Sequence, residues 1–378
     1  MTTIASLSFA DDQLTIIWAN GSESRLAALW LRDNCQLPCC FNDQNGQRLI
    51  NITDIPRSTI IVSVTRSAAK VTIRFAPDNH TSEFDANWLF DNCYCQNKAF
   101  DDRGEKSKTL WMGPSAFTKL PNADYSDFCC RSATQRHALQ AVAEYGFVIL
   151  NNVPVKPGSV LDVISHFGFV RETNYGKLFD VQTEINPNNL AFTNLGLGGH
   201  LDNPYRNPVP GLQLLHCLEN SAQGGETIIQ DGFMAASILR DESAQNFNLL
   251  SKTAINFRFQ NKSTDLHTLA TMIELNVLNQ IVTVRFNNRS IAPLTLPETS
   301  MLAYYTAYRH LAEIFERTDL QACFKLNPGQ LLLFDNTRIL HARKTFSSAG
   351  RRHLQGAYSD LDGLYSKLNI LKSSANKS

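Results

Sequence analysis

Two residues one position apart, His200 and Asp202, can present an imidazole and a carboxylate to a single point. In an extended backbone, residues i and i+2 point to the same side, so both side chains can reach one metal ion. A third ligand is available in His341, which follows the apolar run at residues 330–335. Two histidines and one carboxylate leave coordination positions open, which suits an Fe(II) ion that binds a chelating co-substrate and O₂ together.

The residues that follow these ligands strengthen the interpretation, because a His-x-Asp pair occurs by chance in about every second chain of this size. Beyond His341, Arg351 and Arg352 open another strand-like run that ends at Tyr358. A fixed guanidinium in such a strand can grip a carboxylate with two hydrogen bonds. A His-x-Asp pair, a late histidine and then an arginine is the order found in Fe(II)/2-oxoglutarate oxygenases.

Six short segments surround the candidate ligands. They are His-Leu-Asp-Asn-Pro-Tyr at 200–205, Pro-Gly-Leu-Gln-Leu-Leu-His-Cys-Leu at 210–218, Gly-Gly-Glu at 224–226, Asp-Gly-Phe at 231–233, Phe-Asp-Asn-Thr-Arg-Ile-Leu-His at 334–341 and Arg-His-Leu-Gln-Gly-Ala-Tyr at 352–358. In this order they resemble the γ-butyrobetaine dioxygenase and trimethyllysine dioxygenase family. The resemblance extends from Leu29 to Leu371.

The resemblance implies a role for each member of the constellation. His200, Asp202 and His341 would bind Fe(II), and 2-oxoglutarate would chelate that iron. The distal carboxylate of 2-oxoglutarate would pair with Arg352 rather than Arg351, because the family motif is Arg-His-Leu. Leu215 would line the same co-substrate pocket. Consumption of O₂ would then give succinate, CO₂ and a hydroxylated substrate.

Aromatic residues supply the expected wall for a trimethylammonium group. Such a group has no N–H to donate, so aromatic faces attract it instead, each by roughly 0.5–2 kcal/mol. The resemblance implies a cage that is formed by Tyr175, Phe179, Phe192 and Tyr358, and Tyr205 is a further candidate nearby. The partner predicted from this cage is a small trimethylammonium compound.

The anionic end of the substrate has two predicted forms. Asn189 and Asn287 fit the family positions that hold a substrate carboxylate, which favours γ-butyrobetaine and its conversion to L-carnitine. Asn203 and Arg289 favour a rival, because an inward arginine suits the doubly charged 2-(trimethylamino)ethylphosphonate. An Arg289 that points to solvent would remove this argument. Trimethyllysine ranks third, since a second acidic residue for its α-amino group is not evident.

Three cysteines and a distant histidine predict a second metal site. Cys35, Cys39, Cys40 and His80 could close a tetrahedral structural zinc site. The family carries an N-terminal zinc domain with such a ligand set, but its usual Cys-Pro-Cys is replaced here by Cys-Gln-Leu-Pro-Cys-Cys at 35–40. Cys39 could serve as the shifted ligand, the site could be three-coordinate or degraded, or the thiols could be buried in a metal-free domain.

The surrounding pattern predicts how these residues are positioned. Short alternating segments predict a small β-rich domain at residues 1–97, and a polar stretch predicts a linker at 98–127. The catalytic domain is predicted at residues 128–378. Helices are predicted at 132–145, 231–250 and 297–315, and strands at 147–150 and 280–286. This mainly β pattern with flanking helices is consistent with a double-stranded β-helix, or jelly roll, as the family implies. No Gly-x-Gly-x-x-Gly loop supports a doubly wound sheet.

The composition narrows the class of partner. Apolar residues make up 43% of the 378 residues, enough for a large core, and 35 Lys plus Arg balance 35 Asp plus Glu. No basic field therefore indicates nucleic acid or an anionic membrane as a partner. The N-terminus lacks the features of a signal peptide and no run approaches membrane-spanning length, which predicts a cytoplasmic location. The resemblance also implies a homodimer.

Two rival functions belong to other classes. A catalytically silent protein that binds quaternary ammonium compounds would keep the cage but would not need three iron ligands and an arginine. A zinc-dependent interaction protein would account for the N-terminal cysteines alone and leave the C-terminal constellation unexplained. Hydrolase chemistry has no support, because no Gly-x-Ser-x-Gly elbow is present.

Overall fold

A computed structural model describes residues 3–67, 69–94, 108–182, 194–347 and 349–375. The chain divides into two compact units, Met1–Gly104 and Glu105–Ser378. In the described ranges, no helix is long and apolar enough to cross a membrane.

The first unit is built from short antiparallel strands. Its strands are β1 (Ile4–Ala10), β2 (Gln13–Trp18), β3 (Glu23–Ala27), β4 (Phe41–Asn42), β5 (Gln47–Arg48), β6 (Ile60–Ser67), β7 (Lys70–Ala76) and β8 (Thr81–Asp85), and its helices are α1 (Ala28–Asp33) and α2 (Ala86–Asn92). One sheet has the order β1-β2-β3 and another the order β6-β7-β8. Alternate residues of β7, namely Val71, Ile73 and Phe75, are fully buried, so the period-two pattern of the sequence places one face of each sheet in the core.

The second unit contains two larger sheets and most of the helices. Its strands are β9 (Asn122–Asp124), β10 (Phe147–Asn151), β11 (Phe179–Val181), β12 (Leu197–His200), β13 (Leu212–Asn220), β14 (Thr227–Asp231), β15 (Ala254–Gln260), β16 (Asp265–Thr271), β17 (Ile273–Leu275), β18 (Ile281–Val284), β19 (Ala322–Phe324), β20 (Leu331–Asp335), β21 (Ile339–Arg343) and β22 (Arg352–Ser359). Its helices are α3 (Tyr125–Cys130), α4 (Ser132–Tyr145), α5 (Ser159–Ser165), α6 (Gly232–Glu242), α7 (Ala244–Lys252), α8 (Glu298–Glu316) and α9 (Leu361–Ala375).

The two sheets of the second unit form the jelly roll. One has six strands in the order β11-β22-β13-β20-β10-β9, and the other has four in the order β12-β21-β14-β19. Strand β10 shows how the layers are divided. Val148 and Leu150 pack in the cluster that includes α4, α5 and α9, whereas Phe147 and Ile149 pack with residues of the four-stranded sheet. The six-stranded sheet therefore has helices on one face and the inside of the jelly roll on the other.

The chain between residues 108 and 127 differs from the predicted linker. Trp111 is buried, its indole N–H donates to the Tyr145 carbonyl, and its ring lies 5.5 Å from that of Phe147. Strand β9 extends the six-stranded sheet by parallel pairing with β10. The polar composition near position 105 led to the prediction of a linker. The buried Trp111 shows instead that the segment belongs to the second unit from Lys108 onward. Residues 98–107 of the predicted linker lie outside the described residues.

The predicted helix at 231–250 is two helices. Helix α6 ends at Glu242 and α7 begins at Ala244, because Ser243 is extended and its hydroxyl caps α7 by accepting the N–H of Asn246. The helix at 132–145 has the predicted bounds, and the helix predicted at 297–315 is displaced by one residue at each end. The hairpin of β15 and β16, which lies outside both jelly-roll sheets, has no counterpart in the sequence prediction.

Candidate active site

The three predicted iron ligands meet at one point in the second unit. His200 ends β12 and is the direct cross-strand partner of His341 in β21, with the ring centroids 4.2 Å apart. Oδ1 of Asp202 lies 3.5 Å from Nε2 of His200 and 3.9 Å from Nε2 of His341. One atom from each residue therefore falls within 4.8 Å of the other two, a separation that a single metal ion can bridge.

The protonation of the two imidazoles suits a metal ion. Nδ1 of His200 lies 2.9 Å from the carbonyl of Gly198, which can only accept, so the neutral tautomer that this contact favours has its proton on Nδ1 and a free lone pair on Nε2. Burial lowers the pKa of His341 to about 3, and this imidazole is therefore neutral at physiological pH. Neutral imidazole is the form that ligates a metal.

Hydrogen bonds from neighbouring side chains fix the orientation of the Asp202 carboxylate. Its Oδ2 accepts from Nε2 of Gln213 and from the hydroxyl of Tyr358, each at 2.8 Å. Its backbone is clamped by Asn336, whose Oδ1 accepts the Asp202 N–H and whose Nδ2 donates to the Asp202 carbonyl. Since Oδ2 already accepts two hydrogen bonds, Oδ1 is the oxygen presented to a metal, and the donor set fits Fe(II) with one carboxylate oxygen.

A buried arginine lies on the same cavity. Arg352 opens β22 and is 7% exposed, and its Nε donates to the Gly225 carbonyl at 3.2 Å. In the part of the chain that the structure describes, no carboxylate lies within ion-pair distance of its guanidinium. Burial lowers the pKa of Arg352 to about 10, so it is still a cation near neutrality. A buried cation that lacks an anionic partner is unfavourable until an anion binds it. Arg351, in contrast, is exposed beside Glu219.

Two further residues at this end of the cavity were missed by sequence reasoning. Arg343 and Thr227 are register partners in adjacent strands, and both line the cavity. Burial, followed by the charge of Arg352, lowers the pKa of Arg343 to about 10. The position of Arg343 could have been inferred, because it stands two residues after His341 in a strand and must share its face. Leu215 also lines the cavity, as does Gln213 two residues before it.

Five aromatic rings form a continuous arc on another wall. Tyr358 stacks on Phe179 with centroids 5.0 Å apart, Phe179 lies 6.1 Å from Tyr175, Tyr175 lies 5.9 Å from Phe259, and Phe259 stacks on Tyr205 at 5.1 Å. We call these residues the aromatic arc. Phe179 approaches closely because its cross-strand partner is Gly356, where a Cβ would fall 2.3 Å from the ring. Phe259 is the member that the sequence analysis did not name.

Polar groups stand near the arc. The Tyr205 hydroxyl donates to Oδ1 of Asn203, whose Nδ2 is buried and has no partner among the described residues. Asn287 donates its Nδ2 to the Leu201 carbonyl and accepts the N–H of Arg289 at its Oδ1. Arg289 itself lines the cavity, and burial lowers its pKa. The side chain is also exposed to solvent, so Arg289 lies where the cavity meets solvent and is not enclosed by the protein.

The cavity has a volume of about 410 Å³. Nearly all of the site residues predicted from the sequence line it: Tyr175, Phe179, His200, Asp202, Asn203, Tyr205, Leu215, Asn287, Arg289, His341, Arg352 and Tyr358. Asn189 and Phe192 lie outside the described residues. Leu354, Val181 and Ala342 add apolar surface, and Arg258, Phe259 and Gln260 enter from the β15–β16 hairpin.

A second cluster of metal-binding residues lies in the first unit. Sγ of Cys35 is 3.2 Å from Nε2 of His80, and Sγ of Cys40 is 3.7 Å from the same atom. These three residues could share one ion. Sγ of Cys39 is 3.7 Å from that of Cys40, but Cys39 is exposed and is not part of the three-residue cluster. Of the four predicted zinc ligands, the structure thus brings three together.

A His-Asp-His set in a jelly roll, with a buried arginine on the same cavity, defines an iron- and 2-oxoglutarate-dependent dioxygenase. Residues 109–358 match the family model for taurine catabolism dioxygenase TauD, TfdA family, and residues 5–89 match the γ-butyrobetaine hydroxylase-like N-terminal model. A γ-butyrobetaine dioxygenase of Pseudomonas sp. strain AK-1 is 32% identical over 98% of this chain and 97% of its own length. The chain belongs to the family of γ-butyrobetaine and trimethyllysine dioxygenases.

One further relative agrees with this family assignment, and a solved structure agrees with the fold. A trimethyllysine dioxygenase of Meyerozyma guilliermondii is 27% identical over 97% of this chain and 96% of its own length. A crystal structure from Burkholderia xenovorans, described as a candidate α-ketoglutarate-dependent taurine dioxygenase, superposes with a TM-score of 0.50 and 14% identity. It covers 66% of this chain and 92% of that protein, and at this identity it supports the fold alone.

Proposed function

We propose that this enzyme hydroxylates a zwitterion that carries a trimethylammonium group and an acidic group, with γ-butyrobetaine as the leading substrate and L-carnitine as the product. The observation that carries the proposal is the pairing, in one cavity, of the aromatic arc with the guanidinium of Arg289. The aromatic faces suit the quaternary ammonium head by cation–π attraction. The guanidinium suits the acidic end by charge-assisted hydrogen bonds.

The balance of charges in the cavity favours a substrate that brings an anion. Among the described lining residues, Asp202 is the single carboxylate, whereas Arg258, Arg289, Arg343 and Arg352 are cations. Arg258 forms an ion pair with Asp265, which does not line the cavity. Iron would add two further positive charges, and the dianion 2-oxoglutarate would neutralise the charge only in part. A substrate that was a simple cation would add to this excess, but a zwitterion would not.

The same inventory disfavours trimethyllysine. Its α-amino group would need an acidic partner once it is removed from water. In the described part of the cavity wall, the one carboxylate is that of Asp202, which faces the two histidines. No second acid is therefore present there to compensate an ammonium group.

A second candidate, 2-(trimethylamino)ethylphosphonate, is favoured by the position of Arg289. A guanidinium that lines the cavity can grip two oxygens of a phosphonate, and the buried Nδ2 of Asn203 offers a further donor. The phosphonate shares its head group with γ-butyrobetaine, so the aromatic arc does not separate the two. Between these two candidates, γ-butyrobetaine is supported by the name of a similar protein, the γ-butyrobetaine dioxygenase of Pseudomonas sp. strain AK-1.

The roles of the chain's own residues follow from the geometry. His200, Asp202 and His341 would hold Fe(II), and Arg352 would bind the distal carboxylate of 2-oxoglutarate. When bound, the iron supplies O₂ activation, by which 2-oxoglutarate yields succinate and CO₂ and one substrate C–H bond becomes C–OH. Which bond reacts depends on position, because the aromatic arc and Arg289 fix the two ends of the substrate.

The decisive experiment measures product mass. The enzyme is reconstituted anaerobically with Fe(II) and 2-oxoglutarate and exposed to O₂ with γ-butyrobetaine, with the phosphonate, or with trimethyllysine in separate reactions. Hydroxylated γ-butyrobetaine with equimolar succinate is the expected result. A hydroxylated product from the phosphonate alone would show that the phosphonate, not γ-butyrobetaine, is the substrate. Fe(II) and betaine binding without succinate would indicate the silent binding protein.

We further propose that Cys35, Cys40 and His80 bind a structural zinc ion. Both thiols are buried, and two thiolates with one imidazole are ligands that zinc prefers. Cys39 is the nearest thiol for the fourth position, since its Sγ is 3.7 Å from that of Cys40. The sequence departs from the family here by moving that thiol to a neighbouring position in the loop.

A further inference from the structure

We propose that Phe259, which is carried by the β15–β16 hairpin, is a specificity-determining wall of the trimethylammonium pocket. The inference rests on the proposed function and adds a residue outside the jelly-roll sheets. Phe259 closes the arc between Tyr175 and Tyr205, with centroids 5.9 and 5.1 Å away. The hydroxyl groups of Tyr175 and Tyr205 are 3.4 Å apart, and Phe259 adds an aromatic face beside both rings.

The hairpin brings the ring to the cavity by strand alternation. In β15, Ile255 and Phe257 are buried in the core around α6, α7 and α8, and Phe259 continues the same face. Phe259 is half-buried and lies one residue before the end of the strand. Its ring therefore extends beyond the core and lines the cavity. Ile255 and Phe257 are thus used for packing in the core, whereas part of the Phe259 ring is available to a ligand.

The hairpin is also tied to the segment that carries Arg289. Phe257 forms an isolated bridge with Ile291, and the N–H of Ala292 donates to the Asn256 carbonyl at 2.9 Å. The ring of Phe259 and the guanidinium of Arg289 are thus held by adjoining backbone segments. The spacing between the aromatic wall and the candidate anion site depends on this junction, which suits a substrate of fixed length.

The stack with Tyr205 limits how the Phe259 ring can move. The two ring planes are inclined by 25°. The Tyr205 hydroxyl in turn donates to Asn203, which directly follows Asp202. A quaternary ammonium group against this stack is thereby kept at a fixed place relative to the candidate iron ligands. Phe259 acts on the substrate, not on the metal or the co-substrate.

The test compares a charged ligand with its neutral isostere. γ-Butyrobetaine and 5,5-dimethylhexanoate, in which carbon replaces the ammonium nitrogen, are titrated calorimetrically into anaerobic enzyme with Fe(II) and 2-oxoglutarate. Phe259→Leu keeps apolar volume and removes the aromatic face. It should weaken betaine binding by about 2- to 30-fold and leave binding of the isostere within about twofold. Phe259→Tyr should retain wild-type affinity for the betaine.

Leu269→Ala is the matched control, because Leu269 lies on the same hairpin and is 66% exposed. It should change neither affinity. The proposal is overturned if Phe259→Leu binds the betaine as the control does, or if it loses both ligands equally, which would indicate packing alone. If wild-type enzyme binds no betaine, both this proposal and the proposed function fail. If wild-type enzyme hydroxylates betaine and only the Phe259 effect is missing, this proposal fails alone.

Discussion

The two candidate metal clusters of this chain differ in the atoms that they offer and in what surrounds them. His200, Asp202 and His341 offer two nitrogens and one oxygen, whereas Cys35 and Cys40 with His80 offer two sulfurs and one nitrogen. Nitrogen and oxygen donors suit Fe(II) with positions left for other ligands, and thiolates suit a zinc ion enclosed by protein.

The surroundings carry the same distinction. The first cluster lies on a cavity of about 410 Å³ that also contains buried guanidinium groups. Near the second cluster, Arg32 pairs with Asp78 at 2.9 Å, and its guanidinium reaches Sγ of Cys40 at 3.7 Å. There the protein supplies its own countercharges, whereas at the first cluster the guanidinium of Arg352 has no carboxylate partner among the described residues. This difference supports the proposals made above, in which the first cluster binds a catalytic iron and the second a structural zinc ion.

The largest expected effect is at Asp202. Asp202→Ala removes one of three iron ligands and should lower turnover by about 10³-fold or more, with loss of stoichiometric Fe(II) binding. Turnover is followed by succinate release, and Fe(II) binding by anaerobic titration. The zinc content and the melting temperature of the first unit should be unchanged. Full turnover in this variant would overthrow the assignment of the iron site.

Sequence reasoning found this triad because its signal is local and ordered. The pair at 200 and 202 and the histidine at 341 needed no knowledge of strand pairing, although their meeting is a cross-strand contact of β12 and β21. The same reasoning could have reached Gln213 and Arg343, since each stands two residues from a named residue in a strand. The alternation of side chains along a strand can therefore identify further residues that line the site.

Other features were beyond sequence reasoning for a physical reason. Phe259 is 54 residues after Tyr205, and its place in the aromatic arc depends on how a separate hairpin packs on the core. Trp111 lies close to a charged stretch, so composition predicted a linker where one buried indole anchors the chain. A prediction from composition averages over many neighbouring residues, so it misses a segment that a single buried side chain attaches to the core.

The next effect concerns the unpaired guanidinium. Arg352→Met keeps an unbranched apolar stem but removes the charged hydrogen bonds to 2-oxoglutarate, which should raise the KM for 2-oxoglutarate by about 10- to 150-fold. Arg351→Met is the matched control, because Arg351 is exposed and should have no effect. KM is measured from the dependence of the initial rate on 2-oxoglutarate. Equal effects in both variants would remove the distinction between the neighbouring arginines.

A smaller effect is expected from the hydrogen bonds to Oδ2 of Asp202. Tyr358→Phe keeps the aromatic ring and removes a donor, so Fe(II) affinity should fall by about 10-fold while KM for the betaine changes little. Gln213→Leu should act in the same direction. Tyr304→Phe is the control, because the buried Tyr304 hydroxyl has no partner among the described residues. An increase in KM without any change in Fe(II) affinity would assign Tyr358 to the cage alone.

The smallest catalytic effect, and the sharpest separation of the two clusters, is expected at Cys40. Cys40→Ser removes a thiolate from the second cluster, so bound zinc should be lost and the melting temperature should fall by several degrees. Turnover by the remaining folded enzyme should stay within about twofold, because the iron ligands all lie in the second unit.

Cys39→Ser tests the fourth zinc position in the same assay. If Cys39 is the fourth ligand, zinc should bind more weakly but still be retained in part, whereas Cys130→Ser, at an exposed thiol of the second unit, should have no effect. Zinc is measured by elemental analysis of the purified variants. A metal-free wild-type protein that melts as one unit at the same temperature with and without added zinc would contradict the structural role, because metal that is linked to folding must raise stability when it binds only the folded state.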